Sequence, residues 1–197
     1  MEFTFKPLTP SRWSDFEKLF GDNGACGGCW CMTWRRSAKE FRANSGAGNR
    51  RAFKKVVEKG TAPGILAYAG REPVGWVSVA PRKEFIRLEA SRVLAPIDEQ
   101  PVWSATCFFV RKDFRNRGLT SQLLDAAAEF ARKKGAKVVE GYPYDVKDKQ
   151  APPFVWTGLL GSFAKAGFKE AARRSRTRTS WPSSGMVATW RGSRVCR

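Results

Sequence analysis

Residues 103–142 read WSATCFFVRKDFRNRGLTSQLLDAAAEFARKKGAKVVEGY. They begin with a run of aromatic, β-branched and small residues, Trp103–Val110, that is typical of a strand. A basic turn follows, and then apolar residues recur at helical spacing until Gly135, a natural helix stop; they are Leu119, Leu123, Leu124, Ala127, Phe130 and Ala131. A second strand is predicted at Lys137–Tyr142. The predicted order is therefore strand, tight turn, helix, strand.

The turn between the first strand and the helix has the features of a phosphate site. Gly118 lacks a Cβ, so its backbone can approach a ligand closely. The first amide groups of the following helix have no partner within the helix, and the helix dipole adds positive charge there. Four cationic side chains surround this point, namely Arg111, Lys112, Arg115 and Arg117. The alternative interpretation is a basic turn that merely ends a buried strand.

The spacing of the turn distinguishes it from two other phosphate loops. It matches neither G-x-x-x-x-G-K-[ST] nor G-x-G-x-x-G. Its pattern Arg115-x-x-Gly118-x-Thr120 instead resembles the acyl-coenzyme A loop [RQ]-x-x-G-x-[GA] of the GNAT N-acetyltransferase superfamily, with Thr120 where that family has Gly or Ala. Upstream, Val110-x-x-x-Phe114-Arg115 is similar to V-x-P-x-Y-R. Downstream, residues 162–168 (SFAKAGF) are similar to the late segment L-Y-E-K-x-G-F.

The resemblance implies a fold and a cofactor. The fold would be mixed α/β, with a central, twisted, mostly antiparallel sheet flanked by helices and with splayed central strands. The acyl donor would be acetyl-CoA, whose pantetheine arm would pair with the backbone of Phe108, Phe109 and Val110. Its pyrophosphate would be held by backbone N–H groups of the turn, which come from Arg115, Asn116, Arg117, Gly118, Leu119 and Thr120.

Candidate catalytic residues follow from the same resemblance. The acceptor amine must lose a proton before it attacks the thioester, and the strand Trp103–Val110 contains no acid. Glu140 on the neighbouring strand is therefore the candidate base, and an exposed or ion-paired carboxylate is the alternative. Many GNAT enzymes have a tyrosine as general acid where this chain has Phe163. Tyr142 or Tyr144 would replace it, or water would supply the proton, or the thiolate would leave unaided.

Composition limits the other classes of function. A chain of 197 residues is expected to form one domain, residues 1–197. The formal net charge of +18 attracts polyanions and anionic cofactors and disfavours polycationic acceptors. There is no histidine, hence no histidine base or metal ligand. Five cysteines, no apolar run of bilayer length and no signal-peptide pattern predict reduced thiols in a cytoplasmic protein without a membrane partner.

A cysteine-rich loop precedes this unit. Cys26-x-x-Cys29-x-Cys31 approaches a metal-ligand spacing, but a structural zinc site needs a fourth ligand, which would be Cys107, Cys196 or a carboxylate. The alternatives are a reactive thiol and, as our prediction, a packed apolar loop without metal. Cys107 is in principle also an acyl acceptor, although a buried structural cysteine is commoner.

Two segments are candidates for the acceptor side. In GNAT proteins the region between the first two helices helps form the acceptor pocket, so Trp30, Met32 and Trp34 would line it unless they belong to the core. The long connection Arg82–Gln100 is either functional or a short surface helix. Its candidate residues are Phe85, Arg87, Leu88 and Arg92.

The remaining elements are predicted from local patterns. Ser11 would cap a helix that ends at Gly21, and Asn49 would cap another that ends at Gly60. Residues 64–68 and 74–79 flank the turn AGREP as a β-hairpin. Later residues predict a helix at 157–166 and strands at 168–172 and 186–190.

Three functions fit the sequence, and we favour the first. It is an acetyl-CoA-dependent N-acetyltransferase, monomeric or homodimeric, that acts on a primary amine of a small molecule or a protein by direct attack in a ternary complex. The second is a basic nucleic-acid-associated module, suggested by the net charge and by the run at Arg173–Arg178. The third is a zinc or redox protein built on the cysteine loop.

Overall fold

The computed structural model describes residues 2–145, 155–173 and 186–191. Its centre is a sheet in the order β1-β2-β3-β4-β5-β7-β6. The pair β4–β5 is parallel and the other neighbours are antiparallel. The strands are β1 Thr4–Pro7, β2 Gly64–Ala69, β3 Glu72–Pro81, β4 Trp103–Val110, β5 Val138–Gly141, β6 Lys169–Arg173 and β7 Met186–Arg191.

Helices cover the sheet, and the bounds of several agree with the helices that local sequence patterns predict. They are α1 Trp13–Phe20, α2 Ala38–Ala43, α3 Ala47–Glu58, α4 Ile86–Glu89, α5 Leu119–Lys133 and α6 Leu160–Lys165. Short 3₁₀ turns lie at Pro10–Arg12, Arg82–Glu84 and Lys112–Phe114. None of the helices in the described part of the chain is long and apolar enough to span a membrane.

The two faces of the sheet carry different cores. Since successive strand residues point to opposite faces, Ile65 and Val77 pack against α5 while Leu66 and Trp76 pack on the other side. On the α5 face the helix contributes Leu119, Leu123, Leu124, Ala127, Ala128 and Ala131. On the other face, the buried ring of Trp76 lies 4.9 Å from Phe16 of α1, centroid to centroid. The predicted amphipathic helices therefore position the strands between two layers.

The strands β4 and β5 separate after a short paired stretch. Their pairing runs from Trp103–Val139 to Ala105–Gly141. At this point β4 also changes register against β3, because Val79 pairs with Ala105 whereas Ser78 pairs with Cys107. Thr106 is thus the extra residue of a β-bulge, which bends β4 away from β5. The predicted splay of the central strands and the predicted fold class are both confirmed.

The structure corrects two predicted helix caps. Ser11 does not cap α1, because a 3₁₀ turn precedes the helix and its N-cap residue, Arg12, makes no capping side-chain bond. Asn49 lies inside α3, fully buried. It accepts a hydrogen bond from Arg36 and donates one to the Gly28 carbonyl. Its polar side chain therefore secures the cysteine loop against α3, which a local capping rule does not anticipate.

Other elements differ in extent. The β-hairpin is confirmed as β2 and β3, and Gly21 ends α1 with a φ of 60°. The helix α6 begins at Leu160, later than predicted, since the residues before it run in an extended turn. Within the connection at 82–100, α4 is a short surface helix whose outer residues Ile86 and Glu89 are exposed. Its inner residue Leu88 and the preceding Phe85 are fully buried beside Tyr142. Of the run Arg173–Arg178, residues 174–178 lie outside the described residues, as does Cys196.

Candidate active site

The basic turn places a helix N-terminus at the end of β4. Gly118 is the N-cap residue of α5 and has the left-handed conformation φ 73°, ψ 7°. A Cβ there would meet no atom within 4 Å, so conformation rather than space favours glycine. Asn116 is also left-handed, with φ 61°. The amide groups of Leu119 and Thr120, in the first helical turn, have no acceptor within the helix, and such a helix N-terminus favours an anion.

The cations of this turn are arranged by neighbouring groups. Arg115 donates from Nε to the Val110 carbonyl at 2.9 Å, which ties the turn back to β4. Arg111 makes a bidentate pair with Asp113 at 2.8 and 2.7 Å. The guanidinium groups of Arg111 and Arg117 also lie 4.7 and 5.4 Å from the centroid of the Phe114 ring. Phe114 stands where the family motif has tyrosine, and here its ring lies close to two arginines.

Glu140 and Tyr142 meet in a buried cluster on the face opposite α5. The Glu140 Oε1 atom accepts hydrogen bonds from Ser104 at 2.8 Å, from Arg82 at 2.7 Å and from the Tyr142 hydroxyl. Glu140 is 2% exposed and Tyr142 is fully buried. Burial and then the charge of Glu140 raise the pKa of Tyr142 well above its usual value. Tyr142 therefore carries its proton at neutral pH.

Arg82 organises this cluster, and sequence reasoning missed it. Its side chain is 7% exposed, and all of its nitrogen atoms donate. Nε binds Glu89 at 2.6 Å, and Nη1 binds Glu140 and the Tyr142 hydroxyl at 2.7 and 3.1 Å. Nη2 binds the carbonyl groups of Leu88 and Leu94 at 3.1 and 2.7 Å. The sequence carries no local signal for this role, because Arg82 and Glu140 are 58 positions apart.

A cavity of about 940 Å³ reaches this cluster from the N-terminal ends of β4 and β5. Arg82 and Glu140 line it, and the other charged lining residues are of both signs, namely Lys83, Glu89, Asp98, Lys169, Glu170 and Arg191. It lies at the opposite end of the β4–β5 pair from the basic turn. The carboxylate of Glu140 is thus approached from the side away from the turn.

The three tryptophan and methionine candidates of the acceptor wall divide into two groups. Trp34 lies beside the cluster, with its ring centroid 6.5 Å from that of Tyr142, and its indole donates to the Thr106 carbonyl at 3.3 Å. Trp30 and Met32 are buried in the aromatic core around Trp76 instead. From the connection, Phe85 and Leu88 pack in the same cluster as Trp34, and Arg87 donates to the Thr33 carbonyl at 3.1 Å. Arg92, in the middle of the connection, is exposed.

Phe163 fills the place where the family has tyrosine. Its fully buried ring lies 6.0 Å from Phe108 and 5.2 Å from Phe168, in edge-to-face contacts. A Cβ added at Gly141 would lie 2.2 Å from this ring, so the glycine at position 141 leaves the space that the Phe163 ring occupies. Phe163 is a packing residue beneath the separating strands and cannot donate a proton.

The cysteine loop is folded tightly against the central strands. The Cys31 sulfur accepts a hydrogen bond from the Trp76 indole at 2.8 Å. The thiol of Cys107 also forms a hydrogen bond with Cys31, and neither cysteine is in a disulfide. Cys26 is exposed. Burial, and then the neighbouring Cys31, raise the pKa of Cys29 to about 12. Among residues 2–145, 155–173 and 186–191, no three cysteine or acidic side chains are arranged to hold a metal ion.

We expect Cys29→Ser to leave turnover and metal content unchanged. The thiol of Cys29 is protonated at neutral pH and accepts hydrogen bonds from the Cys31 backbone and the Thr33 side chain, which a hydroxyl also accepts. The measurement is zinc by mass spectrometry of the purified protein, together with the acetyl-transfer rate. A zinc equivalent in the wild type that disappears in the variant would contradict the packing interpretation.

Comparison with known proteins agrees with this geometry. Residues 30–147, more than half of the chain, match the model of the Acetyltransferase (GNAT) family. No curated protein sequence matches the chain. Among solved structures, a polyamine N-acetyltransferase of Drosophila melanogaster is similar, at 11% identity and a TM-score of 0.57, over 96% of this chain and 100% of that one.

Two further structures show the same fold. AAC(6')-Iy, solved with the bisubstrate analogue CoA-S-monomethyl-acetylneamine, is 14% identical with a TM-score of 0.55, over 91% of this chain and 99% of that one. The paiA N-acetyltransferase of Thermoplasma acidophilum, solved with coenzyme A, is 12% identical with a TM-score of 0.51, over 98% and 100%. With the splayed strands, the αL glycine and the family match together, the chain belongs to the GNAT family of acetyltransferases.

Proposed function

We propose that this protein transfers an acetyl group from acetyl-CoA to a primary amine that attacks directly in a ternary complex. The observation that carries the proposal is that β4 has a candidate phosphate site at one end and a buried carboxylate near the other. A phosphate-binding helix N-terminus follows the C-terminal end of β4, and a buried carboxylate lies against Ser104 near its start. The comparisons support the family and its cofactor class, whereas the acceptor and the proton-transfer residues are our proposal.

The residues fit the acyl donor at its phosphate end. The left-handed Gly118 and the first-turn amide groups of α5 would hold the pyrophosphate, with Arg115 and Arg117 adding positive charge. When bound, acetyl-CoA supplies a thioester carbonyl that an amine attacks. Along β4, the N–H groups of Phe108 and Val110 face the opening between the strands, which is where a pantetheine arm would pair.

Glu140 and Tyr142 would handle the proton. Glu140 is held in a fixed position by Arg82 and Ser104, and the amine would approach it through the cavity at the start of β4 and β5. Tyr142 keeps its proton at neutral pH and would orient the carboxylate or protonate the leaving thiolate. The mixed charge of the cavity and the net charge of +18 favour a neutral or anionic amine over a polycation.

A titration tests the proposal. The purified protein would be titrated with acetyl-CoA, with desulfo-coenzyme A and with bulk RNA at low and moderate salt. We expect saturable, micromolar cofactor binding that persists at moderate salt, followed by thiol release when amines are screened. RNA binding that collapses with salt, without cofactor binding, would support the nucleic-acid alternative. Neither the family match nor the similar structures support that alternative.

Glu140→Gln is expected to lower kcat about 10²-fold at neutral pH while leaving the KM for acetyl-CoA unchanged. Without the carboxylate, turnover depends on the fraction of free amine, which falls tenfold for each pH unit below the amine pKa. The loss should therefore be largest at low pH. The measurement is a pH–rate profile of both proteins with one acceptor, and a wild-type profile in the variant would remove Glu140 from the mechanism.

A further inference from the structure

A segment of the chain itself lies in the opening between the separated strands. The Phe108 N–H of β4 donates to the Trp156 carbonyl at 2.7 Å. On the other side, the Tyr144 N–H donates to the Gly158 carbonyl at 2.8 Å, and the Leu160 N–H donates to the Tyr144 carbonyl at 2.9 Å. Residues 155–159 thus pair with both edges of the opening as a short inserted strand would.

The occupied N–H group is one that the acyl donor requires. In β4, Arg111 donates to the Val74 carbonyl of the β3 side, so the alternate residues Phe108 and Val110 face the opening. The Val110 carbonyl already accepts from Arg115. One N–H group makes one good hydrogen bond, so a pantetheine arm that pairs with Phe108 competes with the carbonyl of Trp156.

The closed arrangement leaves polar groups unsatisfied. The hydroxyl groups of Thr106, at the bulge of β4, and of Thr157, in the inserted segment, are buried and have no hydrogen-bond partner in the described part of the chain. A buried hydroxyl without a partner is destabilising. If the segment left the opening, the Thr157 hydroxyl would reach water, and a ligand with amide and carbonyl groups in the opening would provide a partner for Thr106.

We propose that residues 155–159 form a strap that closes the cleft when no acyl donor is present and leaves it when the pantetheine arm enters. This inference rests on the proposed function. The strap is held by the hydrogen bonds above and by the ring of Trp156, which packs 5.8 Å from that of Trp34. Because the donor binds only the open form, the apparent Kd equals the intrinsic Kd divided by the open fraction.

Gly158 offers a way to shift this equilibrium. Its φ is +93°, and a Cβ there would lie 2.7 Å from the Phe163 ring and 3.4 Å from the Phe108 ring. Gly158→Ala therefore strains only the closed form and raises the open fraction. We expect the Kd for acetyl-CoA to fall about tenfold. Gly161→Ala is the matched control, since a Cβ on Gly161 in α6 meets no atom within 4 Å and the Kd should not change.

The measurement is calorimetric titration of the wild type and both variants with acetyl-CoA at one salt concentration. A tenfold lower Kd for Gly158→Ala alone supports the strap. If the wild type binds but Gly158→Ala binds like the control or more weakly, the strap is overturned and the proposed function stands. If none of the three proteins binds, the proposed function is overturned and the strap with it.

Hydrogen exchange of the wild type provides a test that is independent of any variant. Addition of saturating acetyl-CoA should increase deuterium uptake in peptides that cover residues 155–160, because the pairing of the Leu160 N–H is released. Peptides that cover residues 103–110 should remain protected, since the pantetheine arm takes the place of the strap. Decreased or unchanged uptake at 155–160 in the bound protein would overturn the strap.

Discussion

Gly118→Asp is expected to abolish the binding of acetyl-CoA, with a loss of at least about 10³-fold in affinity, while the protein stays folded. An aspartate at this position adds a negative charge beside the pyrophosphate and replaces the residue whose left-handed conformation turns the amide groups of α5 toward it. The measurement is calorimetric titration with acetyl-CoA, with circular dichroism to verify the fold.

Gly135→Asp is the matched control for this variant. Gly135 lies just beyond the other end of α5, also at positive φ, and a Cβ there also meets no atom within 4 Å. The two substitutions therefore introduce the same charge and a similar backbone strain at opposite ends of one helix. Loss of affinity in both variants would mean that the effect arises from strain or net charge, and the phosphate-site interpretation would fail.

Arg82→Met is expected to destabilise the protein by about 3–5 kcal/mol, because it leaves the buried carboxylate of Glu140 without its cation. The carbonyl groups of Leu88 and Leu94 also lose their donor. The measurement is the free energy of unfolding in urea. As a control, Arg132→Met removes the exposed ion pair with Glu129, and we expect no measurable loss of stability.

The double variant Arg82→Met/Glu140→Gln separates the charge from the packing. If the uncompensated charge is the cause, the double variant should be more stable than Arg82→Met alone, since a neutral amide is less costly to bury than a carboxylate. Equal destabilisation of the single and double variants would mean that Arg82 stabilises the protein through its other contacts rather than by neutralising Glu140. Those contacts are with Glu89, the Tyr142 hydroxyl and the Leu88 and Leu94 carbonyl groups.

The central unit was predictable because its signals are local. Helical spacing from Leu119 to Ala131 defines one buried stripe, and only the residue type at Gly118 was needed to place the turn before α5. The splay of the central strands and the mostly antiparallel sheet came from the family resemblance rather than from the residues alone. That the chain is a single domain over residues 1–197 stays a prediction.

The candidate site was predictable only in part because its contacts are distant in sequence. Glu140 was singled out as the acid on the strand next to β4, but nothing near Arg82 indicates that this cation is buried against it. The hydrogen bond from the Phe108 N–H to the Trp156 carbonyl likewise joins two backbone groups that are distant in sequence. Every residue except proline has both groups, so the residue types do not indicate which of them will pair. Cys26, Cys29 and Cys31 were recognised as a possible set with Cys107, Cys196 or a carboxylate as a fourth ligand. The arrangement of Cys29, Cys31 and Cys107 depends instead on the packing of a loop with several left-handed residues.

The bonding of Arg82 also constrains how this sequence can diverge. A lysine has three donors and no planar fork, so it cannot replace a guanidinium group that binds two carboxylates, a hydroxyl and two carbonyl groups. A descendant that lost Arg82 first would carry an unpaired buried acid, and one that lost Glu140 first would carry a buried cation that retained Glu89. A substitution at either position is therefore destabilising unless the other position changes as well. We expect related sequences to keep Arg82 and Glu140 together or to replace both.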